Sequence, residues 1–174
     1  MKEKQRVDLI TGLLLTFIAI VVLILPSFHI TETRSIYLLI FSLYTVINII
    51  RFIVLRKTKD LEGLFYAFAS IVCLIQILVI KQTSSKGLAL ILFTWIAIMS
   101  LAKLKKADYY SDRRDRMYKF GILDLVLFLL AGIIACINLA YPGDVQILVV
   151  GFFFLVNGIL EIFDPIVKSL IARS

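Results

Sequence analysis

Along this chain of 174 residues, long apolar runs alternate with short polar ones. Six of the runs are of similar length: Leu9 to Leu25, Ile36 to Leu55, Gly63 to Ile80, Gly87 to Ala102, Phe120 to Ala140 and Gln146 to Ile166. At a rise of about 1.5 Å per residue, each comes near the ~20 residues that cross a ~30 Å hydrocarbon layer. The pattern predicts an all-α polytopic membrane protein with six transmembrane helices in a single membrane domain, residues 1–174.

The runs group in pairs. Laid without a gap over LDLVLFLLAGIIACINLAYP (Leu123 to Pro142), VDLITGLLLTFIAIVVLILP (Val7 to Pro26) is identical at eight of twenty positions, among them Asp8 with Asp124 and Pro26 with Pro142. Leucine matches come cheaply in membrane helices, so the aspartate and the proline carry the comparison. Asn48 then falls opposite Asn157 in the return runs. The chain reads as three tandem hairpins, approximately 7–57, 61–104 and 120–170, the middle one joining by length and topology. Pro26 and Pro142 stand just past the end of a run, where a residue without an N–H stops a helix and starts a turn. Gly132, Gly151 and Gly158 in the last hairpin let helix backbones approach closely, the usual way of packing in lipid.

Charge fixes an orientation. With the amino terminus inside, the inner segments hold sixteen of the 19 lysines and arginines, and only Arg34, Lys81 and Lys86 face outward. Such a bias over short loops predicts that both termini are cytoplasmic. Lys2, Lys4 and Arg6 before an apolar run imitate a signal peptide, but the run is too long and no small-x-small cleavage site follows, so it reads as a retained first span. The outward loops are too short for a folded outer domain.

Composition agrees, with 61% hydrophobic residues and a mean hydropathy of +0.99, more than a soluble domain of this size could bury. The net charge of +7 is explained by topology, because the basic residues border spans and no nucleic-acid-binding pattern accompanies them. Cys73 and Cys136 fall within spans, which makes a disulfide improbable and excludes a CxxC site; His29 stands alone. No metal and no cofactor is expected.

The unit LAGIIACINLAYPGDVQILVVGFFFLVNGILEI resembles the short glycine-and-proline hairpin repeat of the HdeD family of bacterial acid-resistance membrane proteins. The matching residues are Gly132, Pro142, Gly151 and the Gly158-Ile-Leu-Glu161 stretch. In the first hairpin the match reduces to Pro26, with Thr16 where the pattern has glycine. The resemblance implies a plasma-membrane protein tied to acid or envelope stress, with no catalytic centre to carry over.

Arg51, Asp124 and Glu161 lie inside the apolar runs, roughly 6 to 9 Å from the inner edge of the hydrocarbon. An ionised side chain there costs on the order of 3 kcal/mol, so such groups turn inward and pair, which would join Arg51 to Asp124 or Glu161. The simpler expectation at this shallow depth is that Arg51 snorkels to the headgroups while Asp124 caps the fifth helix and Glu161 with Asp164 marks the end of the sixth. Asn48, Asn157 and Asn138 need partners and are expected to glue helices together. Trp95 and the phenylalanines read as packing. KLKKADYYSDRRDRMYK, from Lys103 to Lys119, reads as a solvated loop lying on anionic lipid, with docking of a membrane or cytosolic protein as the sharper alternative.

No HExxH, GxSxG, P-loop or clustered aspartates occur, so no enzyme is expected. The reading is a non-catalytic integral membrane protein of the HdeD type, partnered by the bilayer and by no nucleic acid. A transporter or channel for a small solute or for protons, using Arg51, Asp124 and Glu161, is the alternative.

Overall fold

In the computed structural model of the chain, the described residues are 3–28, 32–58, 61–80, 84–113, 115–140 and 145–171. They form six long helices and, among the described residues, no strand. The helices are α1 (Glu3–Ile24), α2 (Thr33–Val54), α3 (Glu62–Val79), α4 (Ser85–Asp112), α5 (Met117–Leu139) and α6 (Gln146–Ile171). All six are long and apolar enough to cross a membrane. Helices suit these runs because a backbone in lipid must satisfy every N–H and C=O internally. The chain is therefore a multi-pass membrane protein.

Helix ends follow local chemistry. The Ser84 hydroxyl caps α4 by accepting from the Gly87 amide at 3.2 Å. Pro26 lies in a 3-10 turn, Leu25–Phe28, that ends α1. α4 does not stop where its apolar run does. Its buried stripe of Leu88, Leu92, Trp95, Met99, Lys103, Ala107 and Tyr110 keeps helical spacing to the end, so residues 103–112, expected in a loop, are its last turns. The connection to α5 is then tight, pinned by the Asp115 carboxylate, which accepts the Met117 amide at 2.9 Å.

Neighbours in sequence are neighbours in space, and α1 closes the ring by packing along α6. The even-numbered helices bury more of their surface than the odd-numbered ones. α2, α4 and α6 therefore form an inner set, with α1, α3 and α5 outside. Trp95 of α4 fills the middle, fully buried, with its ring 5.2 Å from those of Tyr44 and Phe154 and 5.9–6.1 Å from Phe41, Phe128 and Phe153. Its indole N–H donates to the Ser70 hydroxyl at 3.2 Å, which satisfies the one polar atom of the ring. Ile10, Leu13 and Phe17 of α1 are more than half exposed at helical spacing, the surface a helix offers to lipid.

The closest approaches fall between α1 and α6, α2 and α3, and α4 and α5. Glycines make them. A Cβ on Gly158 would lie 2.8 Å from the Thr16 amide nitrogen, one on Gly12 would lie 2.9 Å from that of Ile162, and one on Gly63 would lie 2.8 Å from the Asn48 carbonyl oxygen. In each case backbone stands where the side chain would be.

Candidate functional site

The starts of α1, α3 and α5 and the ends of α2, α4 and α6 gather at one end of the bundle, and the charged residues inside the helices collect there. Arg51, in the last turn of α2, reaches sideways rather than outward. Its Nη2 lies 2.8 Å from Asp8 Oδ1 of α1 and 2.9 Å from Glu62 Oε2 of α3, and its side chain is 2% exposed. The Tyr66 ring lies under the guanidinium at 5.6 Å, and the Tyr66 hydroxyl donates to Glu62 Oε1 at 3.0 Å.

Glu62 also receives Lys106 of α4, whose Nζ is 2.8 Å from Glu62 Oε1 and 2.8 Å from Asp164 Oδ2 of α6. Lys4 of α1 stands 3.6 Å from the same carboxylate. One turn deeper on α4, the buried Lys103 ammonium divides between Asp124 of α5 at 2.8 Å and Glu161 of α6 at 3.2 Å, with the Phe128 ring 5.2 Å away. The two clusters share α4 and α6 and tie all six helices together. Opposite charges answer the desolvation cost of each group, and removing one member would strand its partner.

The distribution of sign follows from the ring. At the α2–α3 contact Arg51 meets Glu62, and at the α4–α5 contact Lys103 meets Asp124. At α6–α1 the corresponding residues, Glu161 and Asp8, are both acidic. No salt bridge between those two is chemically available, so each turns to a base on an inner neighbour: Asp8 to Arg51 of α2, Glu161 to Lys103 of α4. Contact between α1 and α6 is left to Gly12, Gly151 and Gly158.

The sequence expectations fare unevenly. Asp124 and Glu161 do meet, through Lys103 rather than Arg51. Arg51 neither snorkels nor pairs with them, because Asp8 and Glu62 present carboxylates closer to it on adjoining helices. Asp124 is two turns inside α5, which begins at Met117, and caps nothing. Asn157 donates across to the Tyr44 hydroxyl at 3.1 Å, joining α6 to α2, while Asn48 and Asn138 bond carbonyls of their own helices. Gly132 and Gly151 pack against Ile96 and Leu23. Pro142 and His29 lie outside the described residues.

Sequence reasoning missed Asp8, Glu62, Lys103 and Lys106 as members of the charged cluster. For Lys103 the signal was present in the helical spacing of Trp95, Met99, Lys103 and Ala107, which continues the buried face of α4 into the charged segment. Chemically, the arrangement gives every base at least one carboxylate, with Lys103 shared between two. Among the described residues no group of histidine, cysteine and carboxylate side chains could hold a metal.

No family model, curated protein or solved structure matches this chain.

Proposed function

We propose that the chain is a non-catalytic protein of the bacterial plasma membrane, of the HdeD type, that serves acid or envelope stress resistance. It works by packing in the bilayer or by binding another envelope component. The observation that carries this reading is the filled centre: the Trp95 aromatic cluster occupies the middle of the helix ring, and the buried charges are spent on one another. A carrier keeps its charges at mid-membrane, beside a path that opens and closes. The excess of basic residues at the charged end supports placing that end, with both termini, in the cytoplasm.

The test is survival of a deletion strain after acid challenge, with cytoplasmic pH followed by a reporter. Wild type restores survival, and Asp124→Asn and Glu161→Gln restore it as well when they accumulate normally. Failure of well-expressed carboxylate variants would favour proton-coupled transport instead. Unchanged survival of the deletion strain would overturn the stress reading.

A further inference from the structure

A second feature lies at the charged end, on the outside of the bundle. Between the first turns of α3 and the last of α4 runs a groove of about 680 Å³. Four lysines line its upper part, Lys4, Lys105, Lys106 and Lys168, against the single carboxylate of Glu62. Lys106 is held by Glu62 and Asp164. Lys105 is exposed and makes no ion pair among the described residues, and Lys168 spends its ammonium on the Tyr110 hydroxyl at 2.8 Å. The groove therefore keeps an unbalanced positive charge.

Below the lysines the walls change character. Phe65, Phe68 and Leu101 are each half exposed or more, and Ile98 continues the wall away from the charged end. Tyr109 and Tyr110 stand at the level of the lysines, the depth at which aromatic residues with a polar tip mark the headgroup region. An occupant must carry an anionic head at the lysines and an apolar chain along the phenylalanines. A free anion would leave the apolar wall unused, and an acidic peptide would have to bury its backbone amides against Phe65, Phe68 and Leu101.

We infer that this groove is a binding site for one anionic phospholipid, its phosphate at Lys105 and Lys168 and an acyl chain between Phe68 and Leu101. Basic pockets between membrane helices take lipid headgroups in this way. The site depends neither on the function proposed above nor on which leaflet the charged end faces.

The experiment uses the purified full chain in detergent, with native mass spectrometry and thermal melting as readouts. Phosphatidylglycerol and phosphatidylcholine of identical chains are compared, together with inorganic phosphate. Phosphatidylglycerol is retained and raises the melting temperature; phosphatidylcholine and inorganic phosphate do neither. Lys105→Gln and Lys168→Gln each weaken retention about fivefold, the effect of one basic residue at a membrane surface. Lys105→Arg keeps it, and Leu101→Trp, on a lipid-facing position, weakens it by filling the chain's path. Equal retention of the two lipids, indifference to Lys105→Gln and Lys168→Gln together, or equal stabilisation by inorganic phosphate overturns the inference. So does capture of a soluble acidic peptide in preference to lipid.

Discussion

An arginine side chain only 2% exposed has lost most of its hydration, and at Arg51 two carboxylates from two other helices stand in for it. Removing one partner of a buried pair typically costs about 3 to 5 kcal/mol, because the remaining charge is stranded. Arg51→Met is therefore expected to lower the melting temperature strongly in detergent, and Asp8→Asn, which among the described residues is ion-paired with Arg51 alone, to return part of the loss. Double-mutant cycles distinguish true partners from residues merely at the same depth. Coupling between Arg51 and Glu62 should exceed about 1 kcal/mol, whereas Arg51 with Asp124 should stay within about 0.5 kcal/mol, the additivity expected of groups that share no partner. A strong Arg51–Asp124 coupling would contradict the arrangement. That Arg51, Asp124 and Glu161 lie near one end of the membrane could be read from counting along the runs. Their pairing could not, because helix counting gives depth and says nothing of azimuth.

At the scale of the helix, the glycines differ in what faces them. A methyl on Gly158 would meet the Thr16 hydroxyl at 2.6 Å and the Thr16 amide nitrogen at 2.8 Å, whereas one on Gly132 would meet the side-chain atoms of Ile96. A side chain can rotate aside; an amide in a helix cannot. Gly158→Ala should accordingly cost about 1 to 3 kcal/mol, the range for forcing an extra methyl into a packed interior, and Gly132→Ala clearly less. Equal melting temperatures for the two variants would mean that α1 can move off α6 without penalty. The glycines were legible as packing residues, but the choice of neighbour was not. Gly158 serves the contact with α1, from the opposite end of the sequence, rather than the hairpin it belongs to.

Over the whole molecule, α6 meets α1 as α2 meets α3 and α4 meets α5, although no loop joins the first of these pairs. The ring thus has no privileged starting point. A circular permutant opened between residues 59 and 60, with a Gly/Ser linker joining the old termini, keeps every helix in its original direction across the membrane. It should insert and melt close to wild type; a permutant that fails to accumulate while insertion reporters show six spans would show that the order of synthesis matters. Apolar length and basic-residue placement determined by themselves the all-helical character and the number of spans, because the bilayer imposes a thickness that each run must match and a backbone it must satisfy. The tertiary structure decided which helices are inner and which outer, that α4 carries Lys103 into the interior and brings Lys106 to Glu62 and Asp164, and that Arg51 belongs to Asp8 and Glu62. Those choices depend on which helix faces meet, and lipid, apolar on every side, leaves the facing of a helix to its packed neighbours rather than to its own hydrophobic pattern.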